Sequence, residues 1–444
     1  DDKGKSWKNI SGNLPENGTV HTFVQDFERP DLYFVGTEFG VFFSVDNGEN
    51  WVQLKKGIPT ISVKDIAIQE DENDLVLATF GRGFYILDDY SPLRKLSHEF
   101  VEQEAHIFSV PDALMYVQTR GRSNQGHTYY EAPNPDFGAT FTYFLKEVPK
   151  TKEQLRKEKE KELFEDGKPI PQPTWRELQL EEKQEKTHLI FTVYDDNDNV
   201  VRQITKVPSK GINRVNWNLR YSSATSTSVN NEFDPTKVND RSGILVMPGN
   251  YSVDLKMWHE GEISELAKPV KFTARRLENT TLPAEDYNEN VEFADEVSQL
   301  AVAMVGSNRL INELMTKVEH IKQAVYSTPA APQELMDRAR ELGKELEQLN
   351  FKMNGVPAKA SWEEIPPAQM PLSERLGNIT YTHMSSTSGI TTSEKQEYEI
   401  LTEKFPPVLD ALKRITSTDI PELEAELNEL NAPWTPGRVP DWKK

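Results

Sequence analysis

One eight-residue pattern, which occurs once in full and once in part, constrains this fold more than any other feature. Ser44–Trp51 fits S-x-D-x-G-x-x-W, and Asp2–Trp7 fits the last six positions of the same pattern. The two tryptophans lie 44 positions apart, which is the length of one four-stranded antiparallel repeat. The segment Val35–Phe43 is echoed by Leu77–Leu87, but no second complete box follows the echo. The spacing therefore predicts tandem β units at the start of the chain.

The residue types of the box point to a structural role. Asp46 can accept hydrogen bonds from the backbone of its own tight turn, and Gly48 can adopt a positive φ at little cost. Trp51 can then pack between neighbouring sheets, where burying its large ring stabilises the fold. The residues to which we assign this structural role in the two boxes are Asp2, Gly4, Trp7, Ser44, Asp46, Gly48 and Trp51.

Alternating strands and turn residues support this interpretation, and they predict that residues 1–92 form the C-terminal blades of a β-propeller. Two blades cannot close a propeller, because each blade needs a neighbour on both faces. We therefore expect the remaining blades to lie on another chain or on a missing N-terminal part. The segment 93–138 is predicted to contribute a closure strand, near Ala105–Val110, and a linker.

Short strands separated by turns predict an Ig-like β-sandwich over 139–278. Within it, 146–186 holds 11 basic and 11 acidic residues and is interpreted as a charged surface insertion, with a partner-binding arm as the alternative. Asp195–Asn199 partly matches a calcium loop but lacks its glycine and distal glutamate, so a plain hairpin is favoured and no metal site is predicted.

From residue 279 the period of the apolar residues changes to 3.6, which predicts a helical bundle over 279–432. Four helices are expected: a long one ending near Val325, Glu334–Phe351, a third over Ser393–Ile415 with an interruption at two prolines, and Pro421–Leu430. The tail 433–444 is predicted to be extended. The fold class is therefore multidomain: partial propeller blades, an Ig-like sandwich and a C-terminal α-helical bundle.

Composition excludes several classes of function. The 71 acidic and 51 basic residues give a formal charge of −20, which disfavours nucleic acid as a partner. The absence of cysteine excludes thiol catalysis and disulfides, and no apolar run is long enough to predict a transmembrane segment. No phosphate-binding or dinucleotide motif is present, so no cofactor is predicted.

The stretch Leu75–Asp89 resembles the final-blade signature of bacterial exported proteins with a sortilin-type BNR, or Asp-box, propeller, often labelled glycosyl-hydrolase-like. The order of charged insertion, Ig-like strands and helical tail is also similar to that family. The resemblance implies a larger propeller, a signal peptide on the missing N-terminal part, and an exported protein in the periplasm or at the cell surface. It supports glycosidase chemistry poorly, because the label descends from the repeat alone.

Topology selects the candidate ligand-binding residues. In each blade the turn between the second and third strands lies opposite the turn that carries the box. We therefore predict that Glu38, Phe80 and Arg82 lie near the axial opening and contact the ligand. The alternative for Arg82 is a purely structural pairing with a carboxylate of a neighbouring blade.

Two functions follow from this reasoning. The first is an extracytoplasmic propeller scaffold that binds protein or peptide partners. The alternative is a sialidase- or glycosidase-like hydrolase whose catalytic residues lie mostly in the missing blades. A hydrolase needs two carboxylates at a fixed separation, and no spacing in the chain identifies such a pair, so the catalytic residues stay unassigned and enzymatic activity stays open.

Overall fold

Sheets of mainly antiparallel strands occupy the first two thirds of the chain and helices the last third, which confirms the predicted change from strands to helices. The structure is a computed structural model that describes residues 4–116, 118, 132–223, 233–237, 242–277, 282–357, 368–383 and 386–440. Asp2, a predicted box residue, lies outside the described residues. In the described parts of the chain no helix is both long and apolar enough to cross a membrane.

Two small sheets make up the N-terminal region. The first has four strands in sequence order: β1 (Val20–Gln25), β2 (Tyr33–Thr37), β3 (Gly40–Ser44) and β4 (Val52–Leu54). The second has three: β5 (Val63–Gln69), β6 (Asp74–Thr79) and β7 (Phe84–Leu87). One apolar core holds the sheets together, and the side chains of Phe34 and Val41 on the first sheet share it with those of Val63 and Leu75 on the second.

The two sheets repeat one another in register. Val20 pairs with Thr37 in the first sheet and Val63 with Thr79 in the second, and both pairings contain an irregularity just after this first pair. The turns repeat as well, because the Glu38 N–H donates to the carbonyl of Thr19, and the Phe80 N–H donates to that of Ser62. Glu38 and Phe80 therefore occupy equivalent positions, as the alignment of Thr37 with Thr79 in the echoed sequences indicates.

A folded-back segment follows β7 where the first sheet has its fourth strand. Residues Ser91–Lys95 form a short 3-10 helix that brings Tyr90 and Arg94 onto the turn after β1. There the buried Asp26 carboxylate accepts hydrogen bonds from the Tyr90 hydroxyl at 2.6 Å and from Arg94 Nη2 at 2.8 Å. Asp26 and Arg94 are 68 positions apart, so this contact joins the two repeats.

Two further sheets face each other across a common core. One contains β8 (Ala105–Ile107), β10 (Ala139–Leu145) and β13 (Gly211–Trp217). The other has the order β12 (Val200–Lys206), β11 (His188–Asp195), β16 (Gly249–His259), β17 (Glu262–Arg276) and β9 (Ala113–Met115), and a separate pair joins β14 (Arg220–Ser222) to β15 (Ser242–Leu245). Phe141, Phe191 and Trp217 form the centre of the core.

The strand predicted to close the last blade has a different partner. Residues of β8 pair with Tyr143–Leu145 of β10, so the closure prediction is wrong for this strand. The physical reason lies in its side chains: Ile107 joins the core of the two-sheet unit, and Phe108 packs with Phe100 and Phe144. The strand thus contributes its apolar surface to the two-sheet unit, not to the second repeat.

The charged insertion forms two exposed helices, α1 (Lys152–Glu165) and α2 (Trp175–Glu182). A capping box begins each helix, from Thr151 and Thr174 respectively. Arg156 joins the helices, since its guanidinium donates to Glu181 Oε1 at 2.7 Å. Neither helix has a buried residue, which is the arrangement expected of a solvated insertion.

The described part of the C-terminal region contains six α-helices: α3 (Tyr287–Tyr326), α4 (Gln333–Asn354), α5 (Leu372–His383), α6 (Thr392–Lys404), α7 (Pro406–Arg414) and α8 (Ile420–Glu429). Helix α5 is not among the helices expected from the sequence, because its apolar stripe is only a few turns long. Ile379 of this helix is nevertheless fully buried in the bundle core. In the tail, Thr435 and Arg438 are buried, so its described part packs against the bundle.

Candidate functional site

Asp46 organises the turn after β3. Its Oδ1 accepts hydrogen bonds from the Ser44 hydroxyl at 2.7 Å and the Asn50 N–H at 2.9 Å, and its Oδ2 accepts from Asn50 Nδ2 at 2.7 Å. Burial raises the pKa of Asp46, but the hydrogen bonds from Asn50 and Ser44 outweigh burial and hold it below its usual value. Gly48 has a φ of 81° and its N–H donates to Ser44 Oγ. Both carboxylate oxygens are thus engaged within the turn.

The two box tryptophans have opposite environments. Trp51 is 4% exposed, and its indole N–H donates to the carbonyl of Ile10 at 2.8 Å. Trp7 is 92% exposed, although Gly4 repeats the positive φ of Gly48. Among the described residues no segment covers the Trp7 ring as the Ile10 segment covers Trp51. The structural role of Trp7 stays a prediction.

The opposite end of the sheets holds a charged cluster around Glu38. His21 Nε2 lies 2.7 Å from Glu38 Oε1, and Lys64 Nζ lies 3.6 Å from the same oxygen and 3.0 Å from His21 Nε2. The hydrogen bond from His21, with the charge of Lys64, lowers the pKa of Glu38. Glu38 is therefore a carboxylate at neutral pH, with the Lys64 ammonium beside it as a compensating charge.

Phe80 and Arg82 border this cluster on the neighbouring hairpin. The Lys64 ammonium lies 5.7 Å from the centre of the Phe80 ring, so Phe80 and Glu38 share one neighbour. Phe80 is 71% exposed, and Arg82 is exposed as well. The predicted pairing of Arg82 with a carboxylate is absent among the residues that the structure describes. This end therefore presents an aromatic ring and two cations to solvent.

Three residues at this end, His21, Lys64 and Asp65, were not among the candidates predicted from the sequence. They begin the first strand of each repeat, and these two strands lie side by side, with Thr22 Oγ1 donating to Asp65 Oδ1 at 3.2 Å. The signal was present in the repeat itself, because His21 and Lys64 occupy the same register position in their sheets. Aligning the strands as well as the hairpins would have placed them beside Glu38.

The Asp195 turn uses the same hydrogen bonds as the Asp46 turn. Asp195 Oδ1 accepts from the Asn199 N–H at 2.9 Å, and Oδ2 accepts from Asn199 Nδ2 at 3.0 Å. Oδ1 also accepts from the Asn197 N–H, so both oxygens serve the hairpin. Over the described ranges, no group of three or more potential ligands from His, Asp and Glu could hold a metal ion.

Comparison with known proteins adds little to these observations. No family model matches the chain, and no curated protein matches it. One similar solved structure is the extracellular domain of a B. thetaiotaomicron protein described as a one-component system, with 13% identity over 62% of this chain and 28% of that chain at a TM-score of 0.17. Another, described as the extracellular domain of a hybrid two-component system of the same organism, has 12% identity over 59% of this chain and 25% of that chain at 0.14. This chain spans little more than a quarter of their length, and TM-scores this low do not define a shared fold.

Proposed function

We propose that the chain is part of an exported interaction scaffold that binds a protein or peptide segment at the Glu38–Arg82 end of its first two sheets. The observation that carries this proposal is the exposed loop of Phe80 and Arg82 beside Lys64. Exposed aromatic and arginine side chains are enriched where proteins bind one another. Two cations beside a ring favour a segment with carboxylate and apolar side chains.

We interpret the first two sheets as propeller blades and the two-sheet unit as Ig-like. The shared register of the two hairpins supports the first interpretation, because tandem blades repeat their strand pairing as well as their sequence. Export, and the propeller blades expected elsewhere, are supported by the resemblance of Leu75–Asp89 alone. Under this interpretation β1 and β5 are innermost strands, and the cluster faces the axial opening.

The state of the carboxyl groups favours binding over hydrolysis. Glycoside hydrolysis needs a general acid, a carboxyl whose raised pKa keeps it protonated near neutral pH. The pKa of Glu38 is lowered. In the described part of the chain, the carboxyl with a raised pKa is Asp88, through burial and the nearby Asp74. Asp88 follows β7 at the end opposite Phe80, so it cannot act with Glu38 on one bond.

A selection experiment tests the binding proposal. The immobilised chain is panned against a random dodecapeptide phage library, and selected peptides are then titrated against variants. We expect Phe80→Ala and Arg82→Ala each to weaken binding at least tenfold, the loss typical of interface anchors. Phe164→Ala and Arg176→Ala are matched controls, since Phe164 is 74% exposed and Arg176 is exposed, both on the insertion. Equal losses in control and test variants, or no selected peptide, would contradict the proposal.

A second assay addresses the hydrolase alternative directly. A panel of fluorogenic glycosides, including sialosides, is incubated with the chain and with Glu38→Gln. We expect no turnover above a heat-inactivated control. Turnover abolished by Glu38→Gln would replace the scaffold with an enzyme whose site lies at this end, whereas turnover that Glu38→Gln leaves intact would place catalysis elsewhere.

A further inference from the structure

A cavity of about 1180 Å³ lies between the two-sheet unit and the helical bundle. Its floor is apolar and comes from Val297, Ala301 and Met304 of α3 and from Leu376 of α5. Small-molecule sites in proteins usually measure roughly 300–1,000 Å³. The cavity is therefore large enough for an organic molecule, and its floor would bury an apolar body.

Three carboxylates lie around this cavity. Asp195 ends β11, and Glu292 and Asp295 lie in the first turns of α3. None of the three forms a salt bridge with another described residue, and the groups that engage two of them are neutral. Asn199 donates to both oxygens of Asp195, and Gln299 Nε2 donates to Asp295 Oδ2 at 2.7 Å. Arg202 also lines the cavity, with its Nη1 donating to the carbonyl of Tyr221 at 2.6 Å. Among the described residues that line the cavity, three carboxylates and one guanidinium leave an excess of negative charge.

Burial and the negative charge at the cavity wall both raise the pKa of the Tyr221 phenol. Burial raises the pKa of Tyr221, and the charges of Asp195 and Asp295 raise it further, to about 12. A carboxylate from the sheets and one from the bundle thus both act on a single group at the cavity wall. The potential there opposes the formation of an anion and favours the binding of a cation.

We propose that this cavity binds an amphipathic organic cation, with its ammonium group among Asp195, Glu292 and Asp295 and its apolar body on α3 and α5. Burying the apolar body contributes about 25 cal/mol per Å² removed from water. The carboxylates determine which end of the ligand enters this part of the cavity, and they discriminate against neutral and anionic molecules.

A pair of fluorescent probes tests the charge requirement. Dansylcadaverine carries a primary ammonium on an apolar body, and the N-hexyl dansylamide is its neutral analogue. Both are titrated into the full chain at low salt and followed by dansyl emission. We expect saturable binding of the amine, tighter than that of the analogue. Asp295→Asn should weaken the amine about fivefold, the upper range for one exposed ion pair, and leave the analogue unchanged.

Two helix glycines test the location. An added Cβ meets nothing within 4 Å at Gly377, which lines the cavity on α5, or at Gly306, on α3 outside the lining. Leucine is a better helix former than glycine, so neither Gly377→Leu nor Gly306→Leu should destabilise its helix. We expect Gly377→Leu to weaken amine binding and Gly306→Leu to leave it unchanged. Equal affinity for both probes, no effect of Asp295→Asn, equal amine affinity of Gly377→Leu and Gly306→Leu, or no saturable binding at millimolar concentrations would each overturn the proposal.

Discussion

Replacing Asp26 by asparagine should open the contact between the two N-terminal repeats. The Asp26 side chain is fully buried and accepts hydrogen bonds from Tyr90 Oη, Arg94 Nε and Nη2, and the backbone N–H groups of Glu28 and Arg29. Asparagine keeps the size of the side chain but loses the charge and one acceptor oxygen. The variant therefore isolates the electrostatic part of the contact.

The magnitude follows from what the substitution leaves behind. Breaking a buried ion pair by removing one partner costs about 3–5 kcal/mol. Arg94 keeps a second partner, because its Nη1 lies 3.0 Å from Glu28. We therefore expect the lower end, about 3 kcal/mol. Since each 1.4 kcal/mol is a factor of about ten, protected amides of β2 and β3 should exchange about a hundredfold faster.

Hydrogen exchange followed by mass spectrometry measures this effect locally in the full chain. Asp31→Asn is the matched control on the same turn, because Asp31 pairs with Arg29 and its side chain is 34% exposed, so its loss should cost less than about 1 kcal/mol. Exchange in β2 and β3 that is no faster for Asp26→Asn than for Asp31→Asn would refute the reasoning.

The same contact predicts a dependence on pH. Burial would raise the pKa of Asp26, but hydrogen bonds from Arg94, Tyr90 and the backbone hold it below its ordinary value of 3.8. The folded state therefore binds the proton less readily than the unfolded state. The stabilisation that the Asp26 carboxylate provides is fully present above pH 3.8, and it is lost as the pH falls through the lower pKa that Asp26 has in the folded state. Asp26→Asn should remove this acid-dependent component.

Three further predictions concern other parts of the chain. Asp46→Ala should destabilise the first sheet by about 1–3 kcal/mol, because the hydrogen-bond donors of Asn50 lose their acceptor. Peptide binding at the opposite end of the sheet should not change. A loss of binding with unchanged stability would show that the Asp46 turn belongs to the binding site. Burial lowers the pKa of His383 below 6.5, although the charge of Glu394 opposes this shift, so the bundle should lose stability as the pH falls below 6.5. His383→Gln should flatten the dependence of the melting temperature on pH. An unchanged dependence in this variant would mean that another group causes it. Thr391→Ala removes the N-cap of α6 and should lower the local stability of the helix start by about 1 kcal/mol, measured by amide hydrogen exchange. Unchanged exchange in α6 would mean that Glu394 alone stabilises the helix start.

Features that depend on near neighbours in the chain could be predicted from the sequence. The Asp46 turn closes within four residues, so the residue types of the box are enough to indicate its hydrogen bonds. The alternating strands and the long stripe of α3 were recognisable for the same reason, since each is a periodic pattern over a short stretch. Those local rules predicted the change from sheets to helices and the position of the hairpin that carries Glu38.

Contacts between distant residues were decided only by the tertiary structure. His21 and Lys64 reach Glu38 because β1 lies beside β5, a packing that no spacing along the chain specifies. The segment of Ile10 covers Trp51 from 41 positions earlier in the chain, because a motif encodes its own turn but not the segment that packs on it. The cavity between the sheets and the bundle has the same origin. Its carboxylates come from β11 and α3, about 100 positions apart, and packing alone brings them to one wall.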